Sequence, residues 1–248
     1  MIDSGIALIF WGSVMTKSRD LLTSGNRLLS SLDALSRERI EPHIERLEAK
    51  AGHVVCWAGD RADHVYFPDG AILSVRTILA DGSSIETANI GREGAFCLFE
   101  AMYTHSCFSE CLVLMPGGLL RLPFNVLRFV FEHNAQARSL FINYTEALRN
   151  QIQQAVACYA SHTVQARLSR WLLAIHDRTG HQDLPFTHEF LAHLLGANRK
   201  SVTLALQAMQ TAGLISYHRG RIQILDCSGI EKSACECYSV MKNASPPW

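Results

Sequence analysis

Residues 135–160, AQARSLFINYTEALRNQIQQAVACYA, contain neither glycine nor proline. Without a breaker the stretch reads as one helix, about 39 Å long at the helical rise. Leu140, Tyr144, Ala147, Gln151, Ala155 and Cys158 recur at three- and four-residue steps, and Phe141, Leu148, Ile152 and Tyr159 form a second stripe beside them. One stripe can cover a neighbouring domain. The other is free for an identical helix, because a small β domain cannot cover both along such a length. The expectation is a dimerisation helix whose interface uses Leu140, Tyr144, Ala147, Leu148, Gln151, Ala155 and Cys158. An ordinary core helix with a wide apolar face is the alternative.

The texture on either side of this helix differs. From 51 to 122, short apolar runs such as HVVCWAGD, HVYFPDG and CLVLMPGG alternate with the turn dipeptides Gly59-Asp60, Asp69-Gly70, Asp81-Gly82 and Gly117-Gly118. That punctuation predicts an all-β sandwich or barrel, with a short helix inside 95–104. Residues 26–50 read as short amphipathic helices, with Pro42 early in the second. Pro123 suits the first turn of a helix that precedes the long one.

Beyond residue 162 the pattern stays helical to Gly180 and then reaches LPFTHEFLAHLLGANRKSVTLALQAMQTAGLISYHRGRIQILD. Thr187 is a natural N-cap, and Phe190, Leu191, Leu194 and Leu195 share a face. Gly196 ends that helix, and a second begins near Asn198 or Arg199 with Val202, Leu206 and Met209 as its buried stripe. Two helices joined by a short turn containing glycine form a helix-turn-helix. The second helix has one polar face, and its start carries Asn198, Arg199, Lys200, Ser201 and Thr203. These types bond phosphates and base edges, and the N-terminal end of such a helix enters the major groove. LISYHRGRIQIL follows as a hairpin, a wing with Arg219 and Arg221 at its tip. The expected DNA contacts are Thr187, His188, Asn198, Arg199, Lys200, Ser201, Thr203, Arg219 and Arg221, and the partner is double-stranded DNA. A solvated αα-hairpin is the bland alternative.

Charge agrees with this division. Lys+Arg and Asp+Glu both number 23. Residues 1–162 carry 14 basic and 17 acidic side chains, whereas 163–226 carry 7 and 4, so −3 stands against +3. The second segment is therefore the one suited to a polyanion. The apolar run IALIFW is too short to span a bilayer, and its flank lacks the positive charge of a signal peptide. The eight cysteines then read as reduced thiols of a cytoplasmic protein with no membrane contact. No nucleophile elbow, phosphate loop or metalloprotease motif is present, so an enzyme is not expected.

The order β-roll, long helix, winged helix-turn-helix resembles the Crp/Fnr superfamily of bacterial transcription regulators over about residues 26–225. FLAHLLGANRKSVTLALQAMQTAGLI carries the strongest likeness, and GREG at 91–94 occurs in the β-rolls of one branch. The resemblance implies an α+β fold: a cyclic-nucleotide-binding-like jelly roll, a dimerisation helix and a DNA-binding domain. The corresponding units are residues 26–134, 135–162 and 163–248. Residues 1–25 are expected to form an N-terminal arm, either disordered or, for residues 1–14, an artefact of the start codon. It also implies a homodimer on an inverted-repeat operator, RNA polymerase as a further partner, and Arg199 at a base-reading position. Lys200 stands where many relatives have Glu, and Leu204 where some have a second Arg.

Cyclic-nucleotide binders of the family use a Gly-Glu pair for the ribose and an Arg for the phosphate. Here Ala95 follows Gly94, and no arginine lies between Arg92 and Arg121. A buried phosphate would lack its cation, so cyclic AMP is not the expected effector, and the effector and any cofactor stay unassigned. The family's iron–sulfur sensors use an N-terminal cysteine run, and residues 1–50 contain no cysteine. Cys97, His105, Cys107 and Cys111 form a candidate redox or metal cluster, although no CxxC pair is present and no metal is assigned. A thiol- or metal-based redox sensor, or a cyclic-nucleotide-binding module, remains the alternative. Cys235 and Cys237, at i and i+2 of a C-terminal helix, would face apart and share no metal.

Overall fold

The computed structural model describes residues 25–244. The reading of residues 1–14 and most of the proposed arm lie outside them. Asn26 caps α1 (Arg27–Ser30), and its amide donates to the carbonyls of Pro68 and Gly94, both at 2.9 Å. Asp33 caps α2 (Ala34–Ile40), and Pro42 sits in a 3-10 turn over Glu41–His43. The chain then extends as β1 (Glu45–Ala49), where the sequence predicted helix. Ile44 and Leu47 fit either period. Pairing with β7 (Gly117–Pro123) selects the strand, with Leu47 and Ala49 inward and Glu48 outward.

Two antiparallel sheets make the β-roll. One has the order β1–β7–β3, with β3 spanning His64–Asp69. The other contains β2 (Val54–Cys56), β6 (Glu110–Met115), β4 (Ile72–Ile78) and β5 (Ser84–Ile90), in that order. The expected short helix is α3 (Leu98–Met102), between β5 and β6. Val65, Phe67, Leu73, Val113, Leu119 and Leu122 fill the interior. Phe124, Leu127 and Val130 of α4 (Phe124–His133) join the same core, as do Phe141 and Tyr144 of α5 (Ala135–Ser161).

Thr163 caps α6 (Val164–Thr179), which stops at Gly180 in the left-handed region, φ +68°. Trp171, Leu191, Val202, Leu206, Met209, Ile222 and Ile230 build a second core. Its elements are α6, α7 (His188–Leu194), α8 (Arg199–Thr211), a small sheet, α9 (Cys227–Ser233) and α10 (Cys237–Asn243). The sheet has the order β8–β10–β9, from Asp183–Leu184, Arg221–Ile224 and Ile215–His218.

The two cores meet at a polar joint. Trp171 Nε1 donates to Glu86 Oε1 at 2.7 Å, Tyr159 donates its hydroxyl to the Glu86 carbonyl at 2.6 Å, and Arg178 pairs with Glu93 at 2.8 Å. Ser74 and Asn89 complete the cage around the Glu86 carboxyl. Among the described residues, no helix is long and apolar enough to cross a membrane.

Candidate nucleic-acid interface

Local chemistry sets where each helix of the pair begins. Thr187 Oγ1 accepts the Phe190 N–H, and Asn198 Oδ1 accepts the Ser201 N–H at 2.8 Å. Gly196, at φ +53°, turns the chain between α7 and α8. The side-chain oxygens of Thr187 and Asn198 are therefore caps and do not project as free readers. His188 and Thr203 are also engaged. Thr203 donates to the Arg199 carbonyl, so it accepts from His188 Nδ1 at 2.8 Å, and the His188 ring lies 4.4 Å from that of Tyr217. Burial and the nearby Arg199 cation hold the His188 pKa below its ordinary value. The neutral ring braces α7 against α8 and the wing.

Arg199 and Lys200 project outward. The Arg199 side chain is 70% exposed, with Glu189 no closer than 3.6 Å. Leu204 and Gln207 continue the exposed row one and two turns on. Gln207 is absent from the sequence-based set, although steps of four from Arg199 and Thr203 lead to it. Gln210 is a second omission. Its Oε1 accepts the Tyr217 N–H at 2.9 Å and fastens the wing to α8.

The wing turns at Arg219 and Gly220, both with positive φ (46° and 78°), as a two-residue hairpin requires. Arg219 stands exposed at the tip. Arg221 is exposed as well, but it lies in β10 and pairs with Asp183 at 2.6 Å. Of the two cations expected at the tip, Arg219 occupies the turn and Arg221 the start of β10, where β8 brings Asp183 alongside.

Residues 166–233 match the model of the Crp-like helix-turn-helix domain. The global nitrogen regulator of Synechococcus elongatus is 20% identical over 215 residues, covering 83% of this chain and 96% of the relative. The transcriptional regulator SdrP of Thermus thermophilus is 25% identical over 201 residues, covering 77% and 94%. A Crp/Fnr-family protein of Eubacterium rectale superposes with a TM-score of 0.68 at 18% identity, covering 84% of this chain and 97% of its own. Residues 166–233 are thus a Crp-like helix-turn-helix domain, and the chain as a whole shares the fold of the Eubacterium rectale protein.

The helix stripe assigned to a partner packs largely on its own chain. Tyr144 is 3% exposed, and its hydroxyl donates to the Ala95 carbonyl at 2.8 Å. Leu140 and Leu148 pack against the β-roll core, and Gln151 donates to the Asn89 carbonyl. Ala147 is half-buried, while Ala155 and Cys158 are buried. The sequence reading missed that α10 returns to α5 and adds cover. The outward row of α5 is Ile142, Glu146, Arg149, Gln153, Val156 and Ala160, with Ile142 52% and Val156 62% exposed. Beside it, Phe99, Tyr103 and Ile142 help line a groove of about 200 Å³.

The cysteines also regroup. Cys97 and Cys107 do meet, with Sγ atoms 3.2 Å apart, but their companion is Cys56, 2.6 Å from Cys107. Hydrogen bonds from Cys107 and Cys97 pull the Cys56 pKa down. His105 turns away to Arg128 and Cys111 stands outside the group. The sequence window of fifteen residues could not reveal Cys56, which arrives from β2. All eight cysteines are free thiols.

Proposed function

We propose that two copies of this chain bind an inverted-repeat operator, with the start of each α8 in a major groove. The observation that carries this is the exposed row led by Arg199 and Lys200 at a helix N-terminus, flanked by the Arg219 wing tip. Arg199 is suited to a guanine edge, and Arg219 to a phosphate. The protomers associate through the outward row of α5 and the groove beside α3. Its three- and four-residue steps place Ile142 and Val156 two heptads apart on one line, as a paired helix requires. The protein acts in the cytoplasm, and the family resemblance supports RNA polymerase as a partner. Footprinting on selected duplexes tests this reading: protection of two symmetric half-sites is expected, and uniform coating without preferred sequence would overturn it.

Cyclic AMP and cyclic GMP do not control this protein. A Cβ at Gly94 would collide with the Tyr144 hydroxyl and ring, so Tyr144 closes the space above the loop that resembles the nucleotide cassette. Titration calorimetry is expected to show no micromolar binding of either nucleotide; such binding would refute the claim.

A further inference from the structure

Four soft ligands converge where α5 hands over to α6. Cys158 lies in the last turn of α5 and His162 is its C-cap, so the two are one helical turn apart on the same side. Cys235 and Cys237 come from the break between α9 and α10. Ala234 is extended there, φ −76° and ψ 154°, so Cys235 is outside any helix and Cys237 opens the next. The expectation that these two thiols face apart assumed a continuous helix, and the break overturns it. The three Sγ atoms and one ring nitrogen of His162 all lie within 4.8 Å of one another.

Two of the six edges are those of a tetrahedron around one ion. Zinc bonds of about 2.3 Å to sulfur and 2.0–2.1 Å to nitrogen require edges of about 3.8 Å between sulfurs and 3.6 Å between sulfur and nitrogen. Cys158 and Cys235 are 3.5 Å apart, and Cys237 is 3.7 Å from His162 Nδ1. Atoms this close leave room for one ion and not for a multi-iron cluster.

The surroundings complete the pattern. His162 Nε2 is 3.2 Å from Glu236 Oε1, so the carboxylate accepts its proton and fixes the tautomer that aims Nδ1 inward. Gln154 Nε2 donates to the Cys237 sulfur at 3.1 Å. Three thiolates and a divalent ion carry one net negative charge, and the buried Arg170 guanidinium faces Cys158 and Cys235. The Cys56, Cys97 and Cys107 trio contrasts with this site: among the described residues no fourth donor joins it.

We infer that Cys158, His162, Cys235 and Cys237 bind a single zinc ion that clasps α10 to the corner between α5 and α6. Binding releases three thiol protons to solvent and forms three Zn–S bonds and one Zn–N bond. The ion then pins the C-terminal segment to the joint between the two cores.

The test uses the full-length protein, purified reduced from zinc-supplemented cells. Elemental analysis is expected to find one zinc per chain, and cobalt exchange the visible bands of a tetrahedral thiolate site. Cys235→Ser and Cys237→Ser are expected to lose the metal, while Cys97→Ser retains it and His162→Cys retains it with an altered cobalt spectrum. Chelation is expected to speed amide exchange across 234–243 at least tenfold. Zinc-free protein after loading, an octahedral cobalt spectrum, metal lost from Cys97→Ser but kept in Cys235→Ser, or unchanged exchange on chelation would each overturn the inference. The wild-type spectrum keeps the test decisive if a serine variant fails to fold.

Discussion

Three arginines near the helix-turn-helix look alike in sequence and differ in what surrounds them. Arg199 is exposed and only loosely paired. Arg199→Ala is expected to lose about 1–3 kcal/mol on a cognate duplex and to relax preference at one base pair. Equal losses on cognate and scrambled duplexes would make it a positioning residue. Arg219 is free at the wing tip, so Arg219→Ala should weaken both duplexes alike and flatten the log–log salt slope by about 0.9. Arg221 is tied to Asp183, and Arg221→Ala should leave the slope unchanged. Salt titrations of the three variants separate these outcomes. A different residue sets a pH response. Burial raises the Glu86 carboxyl above its ordinary 4.5, against three hydrogen bonds and the Arg170 cation that favour its charge. A carboxyl raised on folding is favoured in its protonated form. Its stabilising contribution is present below 4.5 and is lost as pH rises through the raised value. Glu86→Gln keeps partners for Ser74 and Trp171 without the charge. Its melting temperature should exceed that of the wild type increasingly as pH rises above 4.5, until Glu86 has ionised in the folded wild type, and parallel curves would refute the assignment.

At the level of elements, local signals proved readable and pairing did not. Thr187, Asn198, Gly180 and Gly196 act through bonds within four residues, so their caps and turns could be inferred from neighbours alone. The strand at 45–49 is decided by β7, some seventy residues away, and Asp183 neutralises Arg221 across a sheet no local pattern announces. The long helix shows both cases. Its existence follows from sequence, but the face left open depends on where α10 lands. This changes which substitutions should dissociate a dimer. Ile142→Glu with Val156→Glu places charge on the outward row and is expected to yield folded monomers by light scattering. Tyr144→Phe instead removes a buried hydrogen bond to Ala95. It should lower stability by about 1 kcal/mol in denaturant unfolding while keeping the dimer mass. Monomers from Tyr144→Phe, or dimers from the double variant, would return the interface to the inner stripe.

At the scale of the whole molecule, packing and polar contacts join the two cores. Within one protomer, Glu86 receives Trp171, Glu93 holds Arg178, and Gly196 sits so close to Ile85 that an added Cβ would lie 3.0 Å from it. Helix α8 is thus fixed to the β-roll, and the β-roll to the base of α5. If α5 pairs with its copy across a two-fold axis, the separation of the two α8 helices is set by the fold and not by a flexible linker. DNA presents equivalent major grooves only once per turn, so half-site centres should lie roughly 34–36 Å apart. Inserting about 5 bp between the half-sites moves the second to the opposite face of the duplex, out of reach of a rigid dimer. Such an operator should bind no more tightly than a single half-site. An insertion of a full turn, about 10 bp, restores the face but not the distance, and should fail as well. Gel shifts on the three spacings decide the matter. Full affinity for the one-turn insertion alone would show that the joint flexes in solution, and equal affinity for all three would show that one protomer binds one half-site without its partner.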